Sequence, residues 1–235
     1  MELLYIQTCW INHNVNIGHF LHDRLFKAID FYLNNQNIKI KFILSNKLRD
    51  WERCITLLFI EYFNIDYSIE EFTFMHKFEN KNRNLTISKN YSKFFYILKE
   101  IISKKYNINY DNNYKVLYGR SDCNSRKLLN TNNIINKFDL IIDDMSKLTF
   151  EEQVKIFMKT SHFVTTEGAH LTNIIFMNKN AKVLDICNTH NSWQKMFGTS
   201  NLIKHFELFI NKPGNFNDNI IIDNNLENKI LNFIK

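Results

Sequence analysis

The chain has 235 residues, of which 45% are hydrophobic and 23% charged. That balance excludes global disorder and limits the chain to one large α/β domain or two small ones. The net charge of +6 suits phosphorylated small molecules, nucleic acids or anionic membranes, but the basic residues are scattered, with Lys104-Lys105 the nearest approach to a run and Arg120, Arg126 and Lys127 a looser group, so nucleic-acid binding ranks third among the readings.

The N-terminus begins MELLYIQTCW, without the basic start and apolar run of a signal peptide. The expectation is a cytoplasmic protein, in the host cytoplasm if the heavy use of Asn, Ile and Lys reflects the AT-rich genome of a virus. Leu3 to Thr8 reads as a buried strand. Gly18 to Leu33 reads as a helix, with Phe20, Leu21, Leu25, Ala28, Ile29 and Tyr32 on one face. Ile38 to Leu44 alternates as a strand, Asp50 to Phe63 reads as a helix, Phe72 to Phe74 as a strand, Glu79 to Asn84 as a polar loop and Tyr91 to Tyr106 as a helix. The polar stretch Asn107 to Asn113 marks the organisational break, giving halves at 1–110 and 111–235.

After the break the period is regular. Strands are expected at Tyr114 to Tyr118, Asp139 to Asp143, His162 to Thr166 and Ala181 to Cys187. Helices are expected at Ser125 to Asn136, Thr149 to Lys159 and Ala169 to Met177. A closing strand near Ile220 to Ile222 and a helix from Leu226 complete the chain. Strands alternating with helices predict an α/β fold of parallel βαβ units and a doubly wound sheet. No stretch reaches the length of a membrane span. Cys9, Cys54, Cys123 and Cys187 form no CxxC pair, which argues against a disulfide framework or a zinc ribbon. With five glycines and one proline, each glycine is expected to meet a backbone requirement.

Chemistry concentrates in His162 to Met177. An apolar strand ends at Thr165-Thr166, a Gly-containing turn follows, and a helix is expected from Ala169 or His170. In open α/β sheets ligands bind beyond the carboxyl ends of the strands, where the first N–H groups of a helix favour a diphosphate. Gly168 would allow close approach, Thr172 and Asn173 would add hydrogen bonds, and Glu167 would accept from ribose or sugar hydroxyls. Arg120, just past a strand end, and Arg126, near the next helix start, share that edge and suit bidentate phosphate contact. The bland alternatives are a plain strand–turn–helix connection and two surface arginines. In the N-terminal half, His19 and Asp23 lie four apart and share a helix face, an arrangement suited to a general base. The alternative is a structural His19. His13, His19, His22 and Asp23 also raise a metal, but no second cluster completes a set, and no metal site is expected.

These pieces together resemble glycosyltransferase family 61. Arg120 comes first, then Arg126 with Leu128-Leu129-Asn130, then Leu148 to Gln153, then Gly168-Ala169-His170-Leu171-Thr172-Asn173, then Phe176-Met177 and Val183-Leu184-Asp185-Ile186. Asn16, Gly18 to Leu21 and Asp23 resemble the family's early helix motif. Several motifs in order are far more specific than one. The resemblance implies a GT-B-like architecture of two Rossmann-type halves in a compact, minimal version, with an acceptor-side N-terminal half and a nucleotide-sugar-binding C-terminal half. It also implies inverting, metal-independent transfer of a hexosyl or pentosyl group from a nucleotide sugar, a UDP-sugar first, to a hydroxyl of a glycan or protein. No further cofactor is implied. The chain carries Glu167 where the family usually has His, His170 where it has Gly, and Asn130-Thr131 where it has Asn-Glu. Those departures motivate a second reading, a non-catalytic nucleotide or sugar-phosphate binding protein of the same fold.

Overall fold

The computed structural model describes residues 1–6, 20–71, 92–107, 113–188, 204–209, 215 and 217–235, with the backbone alone at 22, 23, 92 and 204–209. They divide into two compact units, Met1–Lys105 and Tyr106–Lys235. No described helix is long and apolar enough to cross a membrane.

The first unit holds a three-stranded parallel sheet in the order β1 (Glu2–Ile6), β2 (Ile40–Ser45), β3 (Asp66–Glu70). Helices α1 (Phe26–Asn34) and α2 (Asp50–Phe63) link successive strands, and α3 (Ser92–Tyr106) ends the unit. The helix expected from Gly18 opens instead, within the described residues, with a π-helical turn, Leu21–Leu25. There the Phe26 N–H bonds the Leu21 carbonyl five residues back. The extra residue per turn lets Leu21, Leu25 and Phe26 all face inward, where each is fully buried. Phe26 stacks on Phe94 at 5.2 Å and meets Phe95 edge-on at 5.0 Å, which ties α1 to α3 through aromatic area. Strand β3 was not expected. Its residues are largely exposed, so it lacks the apolar signature of a buried strand. The strand expected at Phe72 to Phe74 and the loop at Glu79 to Asn84 lie outside the described residues.

The second unit is built on a five-stranded, all-parallel sheet ordered β6 (Leu140–Ile141), β4 (Tyr114–Tyr118), β7 (Thr160–Thr166), β8 (Lys182–Cys187), β9 (Lys204–Phe209). In order of appearance within this sheet that is 2-1-3-4-5, the flavodoxin-like doubly wound arrangement. Alternation along the strands sorts the two faces. Leu117, Val164, Leu184 and Ile186 pack with Leu226 and Ile230 of α5 (Asn224–Phe233). On the other face Phe163 meets Phe157 of α4 (Phe150–Lys159) at 4.9 Å.

Three expectations need correction here. The segment Ser125 to Asn136 is not a helix. It forms β5 (Leu128–Leu129) and two short 3₁₀ turns, Thr131–Asn133 and Ile135–Lys137. Arg126 and Asn130 take left-handed backbone, with φ of 58° and 62°, which an α-helix does not admit. Leu128-Leu129 instead pairs with β10 (Ile220–Ile221) in a separate parallel two-stranded sheet, so the closing strand does not join the main sheet. The segment Ala169–Phe176 is a 3₁₀ helix rather than an α-helix. Its run Thr172-Asn173-Ile174-Ile175 combines β-branched residues with Asn, which disfavours the α form. Finally, of the two described glycines neither has positive φ, and at Gly168 the requirement is room for close approach. Left-handed backbone falls on Asn64, Asn107, Arg120, Arg126 and Asn130 instead.

Candidate functional site

A sheet ordered 2-1-3-4-5 has its topological switch point between the first and third strands, here β4 and β7. Connections leave these neighbours on opposite faces and open a crevice beyond their carboxyl ends. Gly119 and Arg120 follow β4, and Glu167 and Gly168 follow β7. The structure thus brings Arg120, Arg126, Glu167, Gly168 and His170 to one edge of one sheet.

Arg120 is only 7% exposed and adopts a left-handed φ of 57°. Its Nη1 lies 3.3 Å from His170 Nδ1, and its Nε makes no hydrogen bond among the described residues. Thr165 Oγ1 stands 2.8 Å from His170 Nε2 and 2.9 Å from the Tyr118 carbonyl. One hydroxyl carries one proton. When Thr165 donates it to the Tyr118 carbonyl, His170 Nε2–H donates to Thr165, and Nδ1 is left bare to accept from Arg120. Burial, and then the charges of Arg120 and Arg126, hold the His170 pKa well below the ordinary imidazole value, so the ring is neutral. Tyr118 packs edge-on against it at 4.6 Å and shares its one hydroxyl proton between the two Asp122 carboxylate oxygens, at 2.8 and 3.1 Å. Burial, followed by that bond, raises the Tyr118 pKa.

Arg126 is held from several sides. Thr166 Oγ1 donates to its carbonyl at 2.6 Å, and its N–H donates to the Asn217 carbonyl at 3.3 Å. Its guanidinium pKa is lowered by burial and by repulsion from Arg120, against the opposing fields of Glu167, Cys123 and Asp185. Two neighbouring cations that repel each other favour an anion beside them, and the Glu167 and Asp185 carboxylates already supply part of that field. Left-handed arginines cost about 1–3 kcal/mol each and persist only where the surroundings over-determine them.

Gly168 is needed for room, not for its torsions. Its backbone is fully extended, but an added Cβ would overlap Arg120 Nη1 and lie 2.8 Å from His170 Cε1 and Nδ1. Just beyond it the 3₁₀ helix opens, and the N–H groups of Ala169 and His170 have no acceptor within the helix. Thr172 is buried in this helix. Asn173 is tied away from the crevice, its Nδ2 donating to Gln153 Oε1 at 2.8 Å. Gln153 in turn donates to the Met145 and Leu148 carbonyls at 3.3 and 3.0 Å. Beside it, Thr149 and Glu152 form a capping box at the start of α4. The run Leu148 to Gln153 therefore works as a latch between α4 and the 3₁₀ helix.

Site residues that sequence reasoning passed over are Tyr118, Thr165 and Asp185. Strand register sets them side by side, Tyr118 opposite Thr165 and Thr165 opposite Asp185, and all three are buried. The readable signal was the period of two, which places Thr165 on the face of Phe163. His19 lies outside the described residues. Asp23 sits in the π-helical turn of the first unit. Among the described residues no three His, Cys, Asp or Glu side chains gather in a way that could hold a metal ion.

A family model described as Glycosyltransferase 61 matches residues 17–184. That span covers well over half of the chain and includes the whole β4–β7 edge. No curated protein matches the chain.

Proposed function

The chain belongs to glycosyltransferase family 61, and from that membership and the β4–β7 crevice we propose an inverting, metal-independent transfer from a nucleotide sugar, a UDP-sugar first, to a hydroxyl of a glycan or protein. The arrangement is GT-B, with the first unit as the acceptor-side half and the second as the nucleotide-sugar half. The acceptor oxygen bonds the anomeric carbon on the face opposite the diphosphate. The bond from that carbon to the diphosphate breaks and its electrons leave with the phosphate oxygen, inverting the configuration. His19, oriented by Asp23, takes the acceptor proton.

The diphosphate gains negative charge as it leaves. Arg120 and Arg126, with the free N–H groups at the start of the 3₁₀ helix, meet that charge in a water-poor site where it counts most. These fixed cations do the work a divalent ion does in other transferases. The observation that carries the reading is the pair of left-handed arginines at the topological switch point.

The test is a thermal-shift screen of UDP-, GDP- and CMP-sugars, with and without EDTA, on the wild type and Arg120→Ala. A ligand that binds only the folded state raises the melting temperature. The expected result is a shift from one nucleotide class that survives EDTA and vanishes in Arg120→Ala. No shift from any of them, in a protein that melts cooperatively, overturns the proposal.

A further inference from the structure

The His170 side chain sits in the site without a part in either phosphate contact or proton transfer. Thr165 pairs only Nε2, one of the two nitrogens of a neutral imidazole, and the ring turns its other, bare nitrogen to Arg120. The missing Cβ of Gly168 leaves the space in which ring and guanidinium meet. We propose, resting on the sugar-donor reading above, that His170 is a positioning residue: with Nε2–H pinned to Thr165, its Nδ1 accepts from Arg120 Nη1 and holds the buried guanidinium in one orientation for the diphosphate.

An imidazole suits this task better than a carboxylate. An acid at position 170 would orient Arg120 equally well, but it would also neutralise the cation and compete with phosphate. A neutral acceptor fixes direction and leaves the full positive charge for the ligand. Neutrality is secured by the surroundings. The charged and titratable groups acting on the ring are Arg120 and Arg126 from the loop after β4, with Tyr118 of β4 against its face. Strand β7 presents Thr165, Phe163 and the Thr166 backbone, which hydrogen-bonds the ring and weakly opposes the lowering.

Titration calorimetry of the full chain with UDP in EDTA tests the idea, alongside melting temperatures. His170→Asn keeps a neutral acceptor near Nδ1. His170→Asp keeps the acceptor and adds the charge, and His170→Phe keeps only ring shape. Loss of one hydrogen bond to a charged group predicts about tenfold to hundredfold weaker UDP binding in His170→Phe. His170→Asn is expected to stay within a few-fold of wild type, and His170→Asp to weaken binding while still melting cooperatively. Wild-type affinity in His170→Phe overturns the proposal, as does an Asn variant that melts like wild type yet binds no better than Phe. Should His170→Phe fail to fold, Thr165→Val decides, because it frees the ring to swap tautomers and turn a proton toward Arg120. Weaker binding in that variant supports the role, and unchanged binding overturns it. Failure of the sugar-donor reading looks different: wild type and Arg120→Ala then bind none of UDP, GDP and CMP, and the role of His170 falls with it.

Discussion

Gly168→Ala is the sharpest perturbation of the site, because one methyl group meets two functional side chains at once. Its Cβ would overlap Arg120 Nη1 and stand 2.8 Å from two His170 ring atoms. The backbone does not object, since its extended torsions suit any residue. The whole cost therefore falls on side chains. Arg120 and His170 are both buried, so neither can move aside into water. Overpacking a core position costs about 1–3 kcal/mol, and the broken Arg120–His170 bond adds about 1.5 kcal/mol or more. The expected loss is roughly 2.5–4.5 kcal/mol, with UDP binding lost alongside. Gly119→Ala is the control, for its Cβ would meet Leu128 Cβ at an ordinary 3.6 Å. It is expected to be neutral, or more stable by up to about 1 kcal/mol through a less flexible unfolded chain. Native-state hydrogen exchange at the amides of β7 and β8 reads the second unit alone. A Gly168→Ala protein as protected there as Gly119→Ala, and still binding UDP, would refute the packing argument.

Three further outcomes follow from the same geometry. Stability of the wild type should fall as pH drops below about 6.5, because the unfolded His170 takes up a proton there while the folded ring, with its lowered pKa, does not. His162, whose pKa is lowered by burial, Lys182 and Lys115, acts in the same direction. Urea unfolding across that range in His170→Asn and in His162→Gln should therefore remove separate parts of the slope, and an unchanged slope in both would count against either origin. Lys99 has its pKa lowered by burial to about 8, so folding carries the cost of a buried ammonium below that pH. Lys99→Met should gain about 1–3 kcal/mol at neutral pH, and the gain should shrink as pH rises from about 8 through 10.5; a gain independent of pH would contradict this origin. Gln153→Leu removes the bonds to Met145, Leu148 and Asn173 and leaves a buried amide unsatisfied, an expected loss of about 2–4 kcal/mol by urea denaturation.

Elements with a strong apolar period were legible down to their ends. Asp50–Phe63 and Tyr114–Tyr118 run over the residues that periodicity predicts. The parallel α/β class followed from the alternation of strands and helices. What escaped was decided by tertiary contacts. Strand β3 exists because β2 offers it a pairing edge, and its exposed side chains leave no apolar trace. Ser125 to Asn136 has an acceptable helical composition, but its backbone is taken up by pairing with a strand some ninety positions later. Arg120 and Arg126 could be placed at a strand edge from sequence, whereas their left-handed backbone could not, because arginine carries no turn signal. The part of Asn173 was legible as polar chemistry near the turn. Its tie to Gln153 was not, since twenty residues separate partners joined only by the packing of α4 on the 3₁₀ helix.

The left-handed arginines also shape how this site can change. At position 126, glycine or asparagine would relax the backbone by about 1–2 kcal/mol, whereas at position 120 the same relief is offset by loss of the buried bond to His170. The same exchange would remove a cation from the crevice. Turn and charge are here one residue, so stability and ligand affinity pull opposite ways at the same codon. A library randomised at position 126 and sorted for yield of folded protein should fill with glycine and asparagine. Sorted for nucleotide-sugar binding, it should return arginine.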